Sequence, residues 1–354
     1  MASRRSESSR SKPRSIAKPV AGLPTGEPAA EFRSHSLDLA PELAGLRLDQ
    51  ALARALPQYS RARLQGWIEE GAVQVDGRVM RGRDKVLGGE KVLIEARIEA
   101  ASGQVAAEAL PLDIVFKDRS LLVINKPAGM VVHPGAGVTG NTLQNALLAF
   151  DPKLAVVPRA GIVHRLDKDT SGLLVVARTP EVHTALVAAL AEREIERHYI
   201  ALCTGVMTGG GTVDEPIGRH RTQRTRMAVR SDGRPAVTHY RVLRRFRSHT
   251  MVRAELETGR THQIRVHLAH IGYPLVGDPV YGGRHKVPAG ATAGLLEALA
   301  VFRRQALHAA RLKLEHPVTG RELEWEVPMP ADMTQLVEAM EADLKAAAAE
   351  GQRR

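Results

Sequence analysis

The hydrophobic pattern predicts a first small domain over residues 45–95. Leucine and alanine recur at helical spacing over residues 46–56, and Ser60 is placed to cap a second helix. Alternating apolar and polar residues then indicate a strand with a turn over 72–77, and a further strand over 91–95 closes the unit. We therefore predict two helices followed by short paired strands.

A second, larger domain is predicted over residues 112–330, after an alanine-rich linker over 96–111. Two apolar runs around the polar turn at 118–120 indicate a strand pair, and residues 182–193 have the spacing of an amphipathic helix. Strands alternate with short helices through this region. The remaining residues, 331–354, indicate a charged C-terminal helix and tail.

Residues 1–35 have a different composition. They are rich in Ser, Arg, Pro and Ala, carry more basic than acidic residues, and lack apolar periodicity. Such a segment cannot bury enough apolar surface to fold alone, so we predict a disordered basic tail. A tether for RNA is the preferred interpretation and an organelle transit peptide the alternative, whereas a secretory signal would need a continuous apolar region.

Composition and charge narrow the classes of protein. Hydrophobic residues make up 44% of the chain, enough for a core, yet no run is long enough to span a bilayer. The net charge of +11 favours a polyanionic partner. The single cysteine, Cys203, excludes a disulfide framework within the chain and paired-cysteine zinc sites, and it suggests a cytoplasmic location.

The segment from Gly161 to Ala177 is the strongest chemical signal. Apolar runs that we interpret as strands flank a polar loop, residues 164–172, and rigid scaffolds place catalytic groups on such loops. A salt-bridged turn is the structural alternative. A protein-kinase loop is excluded, because Leu166 interrupts the His-Arg-Asp order and the other kinase motifs are missing.

Two weaker patterns have ordinary explanations. The glycine-rich segment 135–142 has the spacing of a phosphate-binding loop but carries Asn141 where that loop needs lysine, so we interpret it as a turn before a helix. His262, His267 and His270 lack further ligands at metal-site spacing, so we expect no metal there.

Arginine is concentrated between residues 219 and 247, where ten arginines accompany one acid, Asp232. A solvated face would mix charges, whereas a single-signed loop suits an RNA backbone. We therefore expect phosphate contacts from this segment and from the start of the second helix of the first domain. The predicted contact residues are Arg219, Arg221 and Arg224 in the loop and Arg61 and Arg63 in the helix.

A further polar segment, residues 259–268, is dense in hydrogen-bond donors. A buried Arg265 facing Asp167 would keep that carboxylate ionised in an apolar cleft, because arginine is always charged and grips a carboxylate with two donors. Tyr199 follows in a strand-like run and is a further candidate site residue. The structural alternative is a tyrosine at the edge of a core.

Three motifs resemble those of the RluA-type RNA pseudouridine synthases. They are Val-Ile-Asn-Lys-Pro-Ala-Gly at 123–129, the polar loop at 164–172, and the donor-rich segment at 259–268. Their order matches the family, and the resemblance covers about residues 112–330. Residues 45–95 resemble the small RNA-binding domain named after ribosomal protein S-four.

The resemblance implies an α+β fold, with a mixed, mostly antiparallel sheet and flanking helices beside the S-four type domain. It also implies that the protein converts uridine to pseudouridine in RNA. Asp167 would be the essential carboxylate, Tyr199 would stack on uracil, and Arg265 would pair with Asp167. Arg165 would fill the space left by the flipped base, and His164 would contact the substrate.

The reaction implied by the resemblance needs no cofactor, because it neither oxidises nor hydrolyses. The two-domain pairing is similar to synthases of the large ribosomal subunit, so we expect 23S ribosomal RNA as partner, no membrane association, and a monomer. Another structured RNA such as tRNA is one alternative. A non-catalytic RNA-binding assembly factor is another, although the presence of Asp167 counts against it. Asp167 could attack the sugar, attack the base, or take a proton from ribose C2′.

Overall fold

The structure, a computed structural model, describes residues 31–56, 59, 61–98, 105–135, 137–223, 225–283 and 287–351. The chain divides into two compact units, Met1–Gln104 and Val105–Arg354. Among the described residues, no helix is both long and apolar enough to cross a membrane.

The first unit is a four-stranded sheet with two helices. Its elements are strands β1 (Glu31–Asp38), β2 (Val73–Val75), β3 (Arg78–Val79) and β4 (Lys91–Ile98), and helices α1 (Leu48–Ala55) and α2 (Arg61–Glu69). The strands lie in the order β1-β4-β2-β3, all antiparallel. Leu52 of α1, Trp67 of α2 and Ile94 of β4 meet in its buried core. The predicted two-helix unit is present, but Ser60, the predicted cap, lies outside the described residues.

A tight turn joins β2 to β3. Val75 pairs with Arg78, which leaves Asp76 and Gly77 as the two turn residues, with φ of 48° and 75°. Two successive positive φ values are typical of the hairpin turn that Asp-Gly favours, because its twist matches that of the strands. Local sequence therefore determines this turn.

The predicted disordered tail, residues 1–35, was wrong for its last five residues. Residues 31–35 belong to β1, whose partner β4 pairs Glu31 with Ile98 and Asp38 with Lys91. The His35 ring nitrogen Nε2 also lies 2.7 Å from the Tyr59 hydroxyl. The strand forms because backbone groups along the edge of β4 need partners, and composition does not reveal such pairing.

The second unit is built on one large sheet. Its strands are β5 (Ile114–Lys117), β6 (Leu121–Lys126), β7 (Ser171–Ala177), β8 (Glu196–Thr204), β9 (Gly211–Asp214), β10 (Ile217–Arg219), β11 (Met227–Val229), β12 (Val237–Arg245), β13 (His249–Leu256), β14 (Leu307–Glu315) and β15 (Glu322–Glu326). Nine of them form the sheet in the order β5-β6-β7-β14-β8-β13-β12-β9, with β15 beside β14, while β10 and β11 form a separate hairpin. Of the strand pairs that the structure describes in this sheet, β7–β14 is parallel and the others are antiparallel. The predicted mixed, mostly antiparallel sheet is confirmed.

Helices cover this sheet on both faces. They are α3 (Leu143–Phe150), α4 (Pro180–Glu192), α5 (Gln263–His270), α6 (Ala293–Val301) and α7 (Ala331–Gly351). Successive strand residues point to opposite faces. Accordingly Ile124 of β6 packs in the cluster that includes residues of α3 and α5, whereas its neighbour Val123 packs with residues of α4.

Two further boundaries differ from the sequence prediction. Residues 105–111, assigned to the linker, belong to the second unit: Glu108 N–H donates to the Asn145 carbonyl at 3.1 Å, and Asn145 Nδ2 donates to the Ala106 carbonyl at 2.7 Å. The C-terminal helix is confirmed as α7, but it is not peripheral, since its Met333 is fully buried against α6. These contacts are tertiary, so local pattern could not reveal them.

The polar loop is bounded differently from the prediction. A strand follows it, but a 3-10 turn at Pro158–Gly161 precedes it, and a single bridge joins Ile162 to Val176. The apolar run before the loop is buried without extended pairing, since short apolar runs do not distinguish strands from other buried segments.

Candidate active site

The second unit contains an open cleft of about 660 Å³ beside the centre of the sheet. Its lining includes the polar loop before β7, the start of β8, and the turn that leads into α5. Asp167, Tyr199 and Arg265, which are far apart in sequence, all line this cleft. A volume in this range suits a small organic group such as a nucleoside.

A buried lysine holds the loop that carries Asp167. The Lys126 side chain is fully buried at the end of β6, and its Nζ donates to the carbonyls of Pro127 at 2.7 Å, Met130 at 2.9 Å and Lys168 at 3.0 Å. Burial lowers the pKa of Lys126 to about 8, partly offset by nearby carboxylates. Because Lys168 follows Asp167 directly, this contact fixes the backbone beside the carboxylate.

The other end of the loop is fixed by close strand packing. Gly172 has φ of 113°, and a Cβ there would lie 2.2 Å from the Ala309 carbonyl oxygen on β14. Only glycine allows this approach of β7 to β14. Just before it, Gln305 Nε2 donates to the Thr170 hydroxyl at 3.2 Å. The loop that presents Asp167 is therefore held at both ends.

Arg265 lies between two carboxylates. Its Nε and NH2 donate to the two oxygens of Asp278 at 2.7 and 2.9 Å, while NH1 donates to Asp167 Oδ2 at 2.9 Å. The guanidinium is buried, whereas the Asp167 side chain retains 14% exposure to the cleft. Asp278 thus fixes the arginine, and the arginine orients the accessible carboxylate.

Electrostatics reinforce this arrangement. Burial acts to lower the pKa of Arg265, but hydrogen bonds and charge from Asp278 and Asp167 outweigh it and raise the pKa. Burial acts to raise the pKa of Asp278, but Arg265 and two backbone N–H groups outweigh it and lower the pKa. Both groups of the buried pair are therefore ionised near neutral pH.

Tyr199 and His164 line the cleft as neutral groups. Burial, with a smaller opposing effect from Arg197, raises the pKa of Tyr199, so its phenol remains protonated. Burial and the Arg197 charge lower the pKa of His164 to about 3. The His164 ring turns towards β7, where Nε2 accepts a hydrogen bond from Val175 N–H at 3.2 Å.

A polar chain connects Asp167 to the β10–β11 hairpin. His262 Nε2 lies 3.9 Å from Asp167 Oδ1, and His262 Nδ1 lies 2.8 Å from the Tyr281 hydroxyl. That hydroxyl accepts a hydrogen bond from Met227 N–H at 2.8 Å. The Tyr281 hydroxyl and His262 Nδ1 share one hydrogen bond, and the other imidazole nitrogen of His262 faces Asp167.

The predicted RNA-contact arginines are distributed over both units. Arg165 is exposed beside Asp167 and lines the cleft. Arg219 and Arg221 are exposed at the hairpin that begins with β10, outside the cleft lining. Three further predicted contacts lie outside the described side chains: Arg224, Arg61 and Arg63.

Sequence reasoning missed Asp278, Lys126 and Arg197. Asp278 is a lone acid in the otherwise apolar segment 275–280, and Lys126 interrupts an apolar strand. A charged residue within an apolar run is usually paired when buried, and that rule could have marked the first two.

The site offers acid, base and stacking groups without an evident metal cage. Within the described ranges, no group of three or more His, Cys, Asp or Glu side chains is arranged to hold a metal ion. His267, one of the three clustered histidines, instead contacts the Thr238 hydroxyl and the Glu215 carbonyl, both at 2.9 Å.

Comparison with known proteins gives the same picture in both units. A family model described as RNA pseudouridylate synthase matches residues 120–270, and a model of the S4 domain matches residues 46–92. The first match includes Asp167, Tyr199 and Arg265.

Similar proteins span most of the chain. A protein of Escherichia coli named ribosomal large subunit pseudouridine synthase D is 57% identical over 302 residues, which cover 85% of this chain and 92% of the relative. A protein of the same name from Pseudomonas aeruginosa is 56% identical over 305 residues, covering 86% and 95%. The structure of human RNA pseudouridylate synthase domain containing 4 is similar at a TM-score of 0.51 and 27% identity, covering 64% of this chain and 92% of that one.

Proposed function

The chain belongs to the RNA pseudouridylate synthase family, and we propose that it isomerises specific uridines to pseudouridine in the 23S RNA of the large ribosomal subunit. The family membership confirms the resemblance of the three sequence motifs to those of RNA pseudouridine synthases. The choice of RNA is supported by relatives named for the large ribosomal subunit, whose similarity extends over both units at 56–57% identity.

One observation carries the proposal: a single accessible carboxylate is held by a buried arginine opposite a neutral tyrosine. Arg265 binds Asp167 through one donor and Asp278 through two, so Asp167 is oriented while it remains open to the cleft. Preorganised charge of this kind lowers the barrier because it costs little reorganisation during reaction.

The chemistry follows from the isomerisation. The bond from ribose C1′ to uracil N1 breaks, the base turns within the cleft, a bond forms from C1′ to C5, C5 loses its proton and N1 gains one. The target must first leave its stack, at a cost of a few kcal/mol. Arg165, exposed beside Asp167, is placed to fill the vacated space.

Asp167 acts on the sugar or base, and Tyr199 holds the uracil. The raised pKa of Tyr199 favours a neutral ring that stacks on the base over a phenolate base at neutral pH. Removal of the C5 proton then falls to water or to another acceptor in the cleft. His164, neutral and turned towards β7, contributes to the cleft wall.

Contacts outside the cleft select the RNA. Arg219 and Arg221 are exposed on the hairpin, and arginines there suit phosphate oxygens. The S4-like unit adds phosphate contacts of its own, through Arg61 and Arg63 at the start of α2. We propose that the enzyme acts as a monomer, in the cytoplasm where large subunits assemble.

Tritium release from RNA labelled at uracil C5 tests this function. The purified protein should release tritium from 23S RNA, while the Asp167→Asn variant should not. Release from tRNA alone would favour the other structured-RNA substrate. Absence of release from every RNA, together with tight RNA binding, would favour a non-catalytic assembly factor and refute the proposal.

A further inference from the structure

A further arginine that lines the cleft, Arg197, has no anionic partner among the residues that the structure describes. Arg197 lies on β8 two residues before Tyr199, so both side chains project from the same face of the strand. Only 7% of Arg197 is exposed, and it lines the same cleft as Asp167 and Tyr199. Its charge is therefore placed beside the position that the base would occupy.

The hydrogen bonds of Arg197 leave most of its donors unused. NH2 donates to the Leu256 carbonyl at a long 3.4 Å, and Nε is buried without a partner. Among residues that the structure describes, no carboxylate approaches Arg197 to within 4.0 Å, whereas Arg265 contacts two. A buried charge without a counter-ion destabilises a fold, so its presence at a cleft indicates an anionic ligand.

The neighbouring histidine strengthens this reading. Because His164 Nε2 accepts a hydrogen bond from Val175 N–H, the proton of the neutral ring lies on Nδ1, and Nδ1 is buried without a partner. Arg197 Nε and His164 Nδ1 thus both present donors, and within the described residues neither nitrogen has an acceptor. An acceptor-rich group with negative charge is the complementary ligand.

We propose that Arg197 contacts the uracil of the flipped uridine and stabilises the negative charge that the base acquires when the bond from C1′ to N1 breaks. This inference rests on the proposed function. The bonding electron pair passes to N1 and is delocalised over the two carbonyl oxygens, which accept hydrogen bonds. When the bond from C1′ to C5 forms and the C5 proton leaves, N1 takes up a proton and the base is neutral again.

This role does not depend on how Asp167 acts. Whether the carboxylate bonds to C1′, bonds to the base or removes a proton from C2′, the base departs with the electron pair of the bond from C1′ to N1. A phosphate ligand is less well matched, because Arg197 is buried beside the tyrosine of the base site, whereas phosphate contacts elsewhere on the chain use exposed arginines such as Arg219.

The test compares uridine with 5-fluorouridine, whose electron-withdrawing fluorine makes the departing base a more stable anion. The 23S RNA is transcribed with UTP or 5-fluoro-UTP, enzyme is in excess, and loss of the N-linked target nucleoside is measured by chromatography of nuclease digests. The variants are Arg197→Met and Arg197→Gln, which remove the charge, and Arg197→Lys, which retains it. Arg311→Met is the matched control, since Arg311 lies outside the cleft lining on the neighbouring strand β14.

On uridine RNA, Arg197→Met should lower the saturated single-turnover rate by about 10²-fold, comparable to the loss of one preorganised donor, with RNA affinity nearly unchanged. On 5-fluorouridine RNA the loss should be clearly smaller, and Arg197→Lys should retain most of the rate on both. Arg311→Met should match the wild type.

An equal loss on the two RNAs would overturn the inference, because a packing defect does not depend on the leaving group. A loss confined to RNA affinity, with a shallower salt dependence, would overturn it in favour of a phosphate contact. Wild-type enzyme that consumes neither nucleoside would refute the proposed function itself. Failure of the proposed function is therefore distinguishable from failure of this inference about Arg197. Should Arg197→Met unfold, the Gln and Lys variants carry the same comparison.

Discussion

Replacing Asp278 by asparagine should uncouple Arg265 from its anchor. Asp278 Oδ1 accepts hydrogen bonds from Arg265 NH2 and from the backbone N–H groups of Val280 and Tyr281, at 2.8–3.0 Å, while Oδ2 accepts from Arg265 Nε. An asparagine that keeps the three contacts at Oδ1 must turn its Nδ2 towards Nε. Two donors then face each other, and the buried guanidinium loses its bidentate partner.

The expected cost follows from burial. Breaking a buried ion pair by removing one partner costs roughly 3–5 kcal/mol. Arg265 retains Asp167 as a second partner, so we expect the lower end of this range, about 3 kcal/mol. For a unit of this size such a change lowers the melting temperature by roughly 6–12 °C. Misplacement of Asp167 by an ångström should also lower the rate by about 10²-fold.

A matched control exists on the surface. Arg304 grips Asp332 with the same two-donor geometry, at 2.6 and 2.7 Å, but the Asp332 side chain is 46% exposed. Asp332→Asn should therefore cost about 1 kcal/mol or less. The assay is thermal and denaturant unfolding of the full chain, together with the single-turnover rate and RNA affinity of each variant.

The dependence on pH gives an independent check. Because the folded pKa of Asp278 lies below its unfolded value of about 3.9, its charge stabilises the fold above that pH, and the stabilisation is lost as the pH falls through the folded pKa. The stability difference between wild type and Asp278→Asn should thus be full at pH 7 and shrink below about pH 4. Equal costs for the two Asp→Asn variants at pH 7, or an undiminished rate for Asp278→Asn, would refute the anchoring argument.

Three further predictions concern other parts of the molecule. Asp167→Asn should abolish turnover while RNA affinity, measured by filter binding, stays within a few-fold; product at long times would contradict its role. Lys126→Met should lower both stability and rate. Burial lowers the folded pKa of Lys126 to about 8, whereas the unfolded pKa is about 10.4, so the wild type should gain stability relative to the variant as the pH rises between these values. Deleting residues 1–104 should weaken RNA binding and flatten its salt dependence, since each phosphate contact on duplex contributes about 0.9 to the slope of log affinity against log salt concentration. Tritium release should nevertheless persist at saturating RNA. Loss of all activity in that deletion would mean that the first unit helps to form the active site.

Much of the local structure was predictable because it depends on short-range signals. The Asp76-Gly77 turn follows from the conformational freedom of those two residues, and the strands around residues 118–120 follow from apolar runs separated by a polar turn. The β1 strand was missed because its pairing satisfies the backbone of β4, a need that no local composition reports. The same holds for residues 105–111, whose partners lie on α3.

The class of chemistry could be predicted from the amino-acid sequence: a carboxylate in a polar loop, a tyrosine on a strand and an arginine in a donor-rich segment, in an order that indicated the family. How these groups act together depends on the fold. The fold placed Asp278 behind Arg265 and buried Lys126 beneath the Asp167 loop. It also left Arg197, next to Tyr199, with no counter-ion in the part of the chain that the structure describes. Such features could not be predicted, because burial and charge pairing are properties of the space around a side chain, and residues separated by tens of positions along the chain form that space.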